Sequence, residues 1–184
     1  MHYDHTAALF QSLIEQMSLS VDVIADIAGN AADGLAECMS TGHNVFCCGI
    51  GLDAASATLL SELLRTSTLR ERPTLPVIEL SIPSGPPLTG AAQRLCDQLG
   101  ALGHPGDRAV VFGSCLDNGS LTAIENMLSK RQIAVIWIGT QGSGPSLTFP
   151  GTSTATALSL CQASAVCLAE LIDLTLFGPM EDVS

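Results

Sequence analysis

The chain carries little charge, and very little of it is positive. Charged residues make up 14% of the sequence, with 7 Lys and Arg against 18 Asp and Glu, which gives a formal net charge of −11. Such a surface repels a phosphate backbone, whereas nucleic-acid binding normally requires a basic face. We therefore expect no direct binding to nucleic acid. The few cations include Arg65, Arg70 and Arg72, which we interpret as solvated helix ends.

The sequence also lacks the spacing of a metal site or a disulfide framework. Its seven cysteines are an odd number, none of them forms a CxxC pair, and the four histidines show no ligand spacing with them. This pattern predicts buried, reduced thiols and a cytoplasmic location. We expect neither a metal nor a cofactor.

Two further absences bear on membranes. The opening MHYDHT is not a basic stretch followed by an apolar one, so we expect no signal peptide. Residues 152–169 carry no charge, but Ser, Thr and Gln recur among them, whereas membrane-spanning helices are mostly Leu, Ile, Val and Phe. The segment is therefore predicted to be a helix buried in an oligomer, and no membrane association is expected.

What is present, after residue 44, is a regular alternation of strand-like and helix-like segments. Short apolar runs typical of buried strands are separated by stretches with helical spacing. They lie at Val45–Cys48, Val77–Leu80, Ala109–Phe112, Ala134–Ile138 and near Leu147–Phe149. The sequence predicts an α/β fold in which helices flank a parallel five-stranded sheet.

Apolar spacing also predicts helices outside this alternation. Two N-terminal helices are expected, over His5–Met17 and roughly Val21–Met39, and one long helix, Ala155–Phe177, closes the chain. We predict a single domain over residues 1–184. In it, residues 1–42 serve oligomerisation, and residues 43–184 form the α/β core with the C-terminal helix.

The most informative stretch is NVFCCGIGLDAASATLLSELLRTSTLRERP, residues 44–73. It is typical of a buried strand, a turn at Gly49-Ile50-Gly51, and a helix that begins after Asp53. Doubly wound α/β folds build their phosphate-binding corner in this order. A carboxylate at the start of the helix would repel a phosphate, so we interpret Asp53 as a plain helix N-cap.

These elements resemble the SIS (sugar isomerase) domain family. The resemblance is carried by the CGIG turn, the RERPTLPVIEL run and the LGHPGD turn, and it covers nearly the whole chain. It is nearest to the branch that holds the phosphoheptose isomerases and a non-catalytic relative that binds the replication initiator DnaA. It implies a three-layer SIS fold, a homotetramer, and a sugar-phosphate pocket between subunits.

The resemblance also implies where the catalytic groups of the isomerases would lie. A His and a Glu one turn apart fall at Leu59 and Leu63, and a Gln and a His in the last helix fall at Leu158 and Val166. Aliphatic side chains cannot transfer protons, so the resemblance implies a protein that is not an enzyme. Glu62 is one residue away from a matching position, about 100° around the helix, and is expected to be a solvated or interface carboxylate rather than a catalytic base.

A remnant of the sugar-phosphate pocket is still expected. The second phosphate loop of the family corresponds to residues 113–120, GSCLDNGS, where hydroxyl and amide donors remain but Asp117 adds negative charge. Weak binding of a phosphosugar stays open, and so does the role of the shortened segment at residues 81–91. The degraded pocket is assigned to Gly49, Gly51, Asp53, Ser114, Asn118 and Ser120.

Leu176 and Phe177 end the last helix, directly before the helix-breaking pair Gly178-Pro179. The run CLAELIDLTLF resembles the terminus of the non-catalytic relative, in which a Leu-Phe pair contacts DnaA. The resemblance therefore implies that Leu176 and Phe177 bind a DnaA-type initiator, and the alternative is a simple core contact. Three functions stay open: an adaptor for DnaA, a sedoheptulose 7-phosphate isomerase, and a sugar-phosphate sensor.

Overall fold

A computed structural model describes residues 2–67, 70–83 and 89–179 of the chain. The strands and helices predicted after residue 44 are confirmed, with small differences at their ends. Residues 84–88 of the shortened segment lie outside the described ranges. The elements are α1 (His2–Ser40), β1 (Val45–Ile50), α2 (Ala54–Thr66), β2 (Val77–Ile82), α3 (Thr89–Leu102), β3 (Arg108–Phe112), α4 (Asn118–Arg131), β4 (Ala134–Ile138), β5 (Ser146–Leu147) and α5 (Thr154–Phe177).

The five strands form one parallel sheet in the order β2-β1-β3-β4-β5. Strand β1 lies inside the sheet, and all six of its residues, VFCCGI, are buried, which explains its unbroken apolar sequence. The core on one face of the sheet contains residues of α1, α2 and α5, and the core on the other face contains residues of α3 and α4. The predicted three-layer α/β architecture is therefore confirmed.

The prediction of two N-terminal helices is wrong, because α1 is one continuous helix of 39 residues. The sequence between the two expected helices, Ser18-Leu19-Ser20, contains neither Gly nor Pro, so nothing in it breaks a helix. Apolar positions also continue in step across it, at Met17, Val21 and Ile24. Buried residues begin only at Ala28, and from there α1 packs against α5.

Helix α5 is the long C-terminal helix that the sequence predicts. The Ser153 hydroxyl caps its start by accepting a hydrogen bond from the Thr156 amide at 3.2 Å. It ends at Phe177, where Gly178 adopts a φ of +75°. Within the described ranges, α5 is the one helix with the length and apolar composition of a membrane span. It packs against α1 and α2, and its buried side chains belong to the core.

Candidate functional site

The sheet has a crevice between the carboxyl ends of β1 and β3. The chain leaves β1 for β2 on one side and leaves β3 for β4 on the other, so the connections diverge at this point. Open α/β sheets bind ligands outside the carboxyl ends of their strands at such a switch point. The turn after β1 and the loop after β3 meet here, as the assignment of the pocket to these two segments requires.

Asp53 spans this crevice instead of capping its own helix. Its side chain makes no capping hydrogen bond at the start of α2, so the N-cap prediction is wrong. One carboxylate oxygen accepts from the Ser114 hydroxyl at 2.6 Å, and the other accepts from the Cys115 amide at 3.0 Å. The residue is fully buried, and this burial raises the pKa of its carboxyl group, although the hydrogen bonds from Ser114 and Cys115 oppose the rise.

The two glycines of the pocket allow the chain to make this turn. Gly51 has a φ of +64°, a left-handed conformation that side chains rarely adopt. A Cβ atom at Gly49 would lie 2.8 Å from the carbonyl carbon of Asp53. The glycines thus bring the backbone of residue 53 close to the end of β1, which directs its carboxylate toward the loop after β3.

The loop after β3 directs its own donors to carboxylates. The Asp117 side chain accepts from the Ser120 amide at 2.8 Å and from the Ser120 hydroxyl at 3.0 Å, and so caps α4. Asn118 is the first residue of α4 and is exposed. The structure therefore brings Asp53 and Ser114 together, whereas Ser120 is occupied by Asp117.

The four aliphatic positions at which the resemblance places catalytic groups lie in different environments. Leu59 and Leu63 are half-buried and pack against the core beneath α1 and α5. Leu158 is half-buried and Val166 is exposed. The Glu62 side chain is 54% exposed and accepts a hydrogen bond from Arg65 at 2.8 Å, which is compatible with the predicted solvated or interface carboxylate.

A polar cluster around Glu79 on the edge strand β2 is missing from the sequence interpretation. The Glu79 carboxylate accepts from Thr58 at 2.6 Å, from Ser61 at 3.2 Å and from the neighbouring Ser81 hydroxyl, and Arg65 lies 3.5 Å away. These hydrogen bonds, the one from Ser81 first, lower the pKa of Glu79. The cluster connects α2 to β2. Spacing along the sequence does not predict it, because Thr58 and Ser61 belong to the helix whereas Glu79 and Ser81 belong to the strand.

The C-terminal end of α5 presents Phe177 next to Arg70 and above the buried Arg72. Leu176 is half-buried and packs against the core, whereas Phe177 is 39% exposed. The guanidinium carbons of Arg70 and Arg72 each lie 5.9 Å from the centre of the Phe177 ring. Arg70 also donates to the carbonyl oxygens of Phe177 at 3.1 Å and Gly178 at 2.7 Å. It thereby supplies a cation to a helix end that has no basic residue of its own.

Arg72 is a buried cation, so its interpretation as a solvated helix end is wrong. Its side chain is 1% exposed, and its Nε lies 2.7 Å from Oδ1 of Asp173 on α5. It also donates to the carbonyl oxygens of Leu64 at 2.8 Å and Leu63 at 3.1 Å, at the end of α2. The loop before β2 is thus fixed to both helices, and the surface around Phe177 has a rigid base.

The thiols and histidines provide no metal centre in the described part of the chain. All seven cysteines are free, and five of them are buried. Burial raises the pKa of Cys161, next to the crevice, to about 12. Among the residues that the structure describes, no three His, Cys, Asp or Glu side chains are grouped to hold a metal ion.

Known proteins resemble the chain in sequence over almost its full length. The DnaA initiator-associating protein DiaA of Escherichia coli O1:K1 is 28% identical over 191 residues, which covers 96% of this chain and 97% of that protein. DiaA of Shigella boydii serotype 18 is 27% identical over 190 residues, with 95% and 97% covered. The chain matches no protein-family model.

Solved structures share its fold. A phosphoheptose isomerase from Francisella tularensis superposes with a TM-score of 0.81 at 20% identity, covering 94% of this chain and 98% of that one. Phosphoheptose isomerase GmhA from Neisseria gonorrhoeae gives 0.77 at 18% identity, with 94% and 99% covered. The resemblance to SIS-domain proteins is thereby confirmed, and in sequence the chain is close to DiaA.

Proposed function

We propose that this protein is a non-catalytic, DiaA-like adaptor that binds a DnaA-type replication initiator. The proposal is supported by the similarity to DiaA along nearly the whole chain. The observation that carries it is the partly exposed Phe177 ring at the end of α5, which has the guanidinium carbons of Arg70 and Arg72 each 5.9 Å from its centre. Aromatic residues and arginine are enriched at protein interfaces. A cytoplasmic location follows from such a partner.

Phe177 contributes to this anchor differently from Leu176. Leu176 packs against the core and therefore fixes the position of the helix end, whereas the partly exposed Phe177 ring is free to be covered by a partner. The anchor proposed here is the Phe177 ring together with Arg70, while the buried Arg72 supports the ring from within the protein. Leu176 supports it from below.

We propose further that the protein is a homotetramer and that residues 2–26 of α1, the N-terminal arm, form part of its subunit contacts. No residue of the arm is buried in the isolated chain. An α-helix that buries no apolar face is marginal in water, so the arm needs a partner surface. Along it, Phe10, Ile14, Met17 and Val21 recur at alternating steps of four and three, the spacing of a helix–helix seam.

The same seam continues along α1 into the body of the protein. Exposures in the arm are 59% for Phe10, 63% for Ile14 and 58% for Val21, whereas Ala28 and Leu35 on the continued seam are buried. The exposed half of the seam is expected to pack against other copies of the chain. The buried half already packs against helices of the same chain. A tetramer would present several Phe177 anchors and could hold several initiator molecules together at an origin, which raises avidity without any new contact.

The test of the adaptor is a pull-down of the host DnaA by purified wild-type protein and the Phe177→Ala variant. The variant should lose DnaA and keep its mass by light scattering. Leu102→Ala is the matched control, because Leu102 is 44% exposed at the end of α3, on the other face of the sheet. A well-folded wild-type protein that binds no DnaA would refute the adaptor, and a Phe177→Ala variant that loses its assembly would show a structural role.

The test of the arm is the mass of an Ile14→Asp variant in solution. A charge in the centre of the seam should lower the mass, whereas Glu15→Lys, which reverses a charge on an exposed neighbouring position, should leave it unchanged. A variant with the wild-type mass would exclude the seam from the subunit contacts.

The alternative function is that of a sedoheptulose 7-phosphate isomerase or a sugar-phosphate sensor, which the shared fold with phosphoheptose isomerases favours. Turnover of sedoheptulose 7-phosphate that a Glu62→Gln substitution abolishes would establish the enzyme and refute the adaptor as the sole function. A thermal shift with phosphosugars but not with the parent sugars would favour the sensor.

A further inference from the structure

The crevice between β1 and β3 already contains a negatively charged group with two hydrogen-bond donors directed at it. The Ser114 hydroxyl donates to one oxygen of Asp53 and the Cys115 amide donates to the other. A hydroxyl and a backbone amide at the mouth of a parallel sheet are the donors that commonly hold anionic oxygens of ligands. In this protein the carboxylate of Asp53 accepts both hydrogen bonds in place of a ligand.

The environment of Asp53 supports a fixed role for this carboxylate. The residue has no exposed surface and forms no ion pair with a basic group among the described residues. A buried carboxylate without a cation is costly unless its oxygens are hydrogen-bonded, and both of them are. The contact joins residues 61 positions apart, so it fixes the loop after β3 to the turn after β1.

The neighbouring donors are occupied in the same way. Asp117 takes both the amide and the hydroxyl of Ser120 at the start of α4. The loop from Gly113 to Ser120 therefore satisfies its Ser114, Cys115 and Ser120 donors with side chains of this same chain. An external phosphoryl group would have to compete for them with two carboxylates and would be repelled by both.

We infer that Asp53 is a built-in anion that fills the switch-point crevice, holds the loop after β3 closed without a ligand, and excludes phosphoryl groups from the wild-type protein. Replacing Asp53 with a small neutral residue should uncover an anion site for the phosphoryl class of ligand. The inference concerns the crevice alone and does not rest on the binding of DnaA, since the proposed anchor lies at the far end of α5.

The experiment measures binding of inorganic phosphate to wild-type protein, Asp53→Ser and the control Asp97→Ser. Asp97 lies on the exposed face of α3, where it accepts a hydrogen bond from Gln93, so its replacement removes the same charge away from the crevice. At constant ionic strength, phosphate should raise the Tm of Asp53→Ser in a saturable way and leave the other two proteins unchanged. The backbone amide resonance of Cys115 should shift with phosphate only in Asp53→Ser.

Each outcome decides the inference. Saturable phosphate binding at Cys115 in the wild-type protein would overturn it, and so would a folded Asp53→Ser variant that shows no phosphate effect. If Asp53→Ser is unfolded alone and folds when phosphate is added, the anion role is supported. If it is unfolded under both conditions, Asp53→Asn decides: faster exchange of the Cys115 amide supports the inference, and wild-type exchange together with no phosphate binding overturns it.

Discussion

Replacing Arg72 with Met is expected to destabilise the protein severely. The substitution keeps an unbranched apolar stem but removes a guanidinium group that is 1% exposed and lies 2.7 Å from Asp173. The Asp173 carboxylate, itself 4% exposed, would keep only the Ser67 hydroxyl at 2.9 Å as a described side-chain hydrogen-bond donor. The carbonyl oxygens of Leu63 and Leu64 at the end of α2 would lose the hydrogen bonds from Arg72 and keep only those from the backbone amides of Ser67 and Leu75.

The magnitude follows from the burial of the pair. Removing one partner of a buried ion pair costs about 3–5 kcal/mol, because the other charge stays buried without compensation. For a chain of this size each kcal/mol lowers Tm by about 2–4 °C, so the expected decrease is roughly 6–20 °C. Urea unfolding at one fixed protein concentration measures the free energy directly, and fixing the concentration separates it from any effect of assembly.

Two further variants test the reasoning. Arg65→Met breaks two solvent-accessible pairs, since Arg65 is 32%, Glu62 54% and Glu79 23% exposed, and it should cost no more than about 1 kcal/mol. The double variant Arg72→Met/Asp173→Leu should regain part of the stability, because it leaves no buried charge unpaired. An Arg72→Met protein within about 1 kcal/mol of wild type would refute the argument that this pair fixes the loop to α5.

Three other outcomes are expected. Burial raises the pKa of Asp53, so the folded protein binds this proton more tightly than the unfolded chain does, and the free energy of unfolding should fall as pH rises from about 4 through that raised pKa. A difference between wild type and Asp53→Asn that stays flat across this range would contradict this prediction. Brief iodoacetamide treatment, read by mass spectrometry, should modify half-buried Cys115 well before buried Cys161, whose pKa is about 12, and equal rates would contradict the burial order. Ser153→Ala should lower the free energy of urea unfolding by about 1 kcal/mol through loss of the cap of α5, and an unchanged value would show that the cap is dispensable.

The α/β core could be predicted from the sequence because its signals are local. The strand Ala134–Ile138 and the helix end at Phe177 were expected where they lie, since an apolar run and a Gly-Pro pair each act within a few residues. The break expected in α1 near Ser18 is wrong for the same reason. The local apolar pattern favoured two short helices. The continuity of the seam through Met17 and Val21 becomes visible only when the apolar positions are followed along the whole of α1.

The site residues could be placed in segments but not paired. Asp53 was expected to cap α2, because a carboxylate before a helix usually does so. Its actual donor, Ser114, is 61 positions away and meets it only through the strand order of the sheet. The pairing of Arg72 with Asp173, 101 positions apart, is hidden in the same way, and a cation near a helix end gives no sign of its own burial.

Because α1 is continuous, its two parts should open with different free energies although they belong to one helix. Its C-terminal part, from Ala28 onward, lies against the core and can open only when the domain opens. Its first 25 described residues would extend about 37 Å and gain nothing from that core. Amide hydrogen exchange along this single helix should therefore change from slow to fast near Ile27 in a dilute sample. With rising protein concentration the region of slow exchange should extend toward His2. The position at which exchange becomes fast would therefore measure the extent of association between chains.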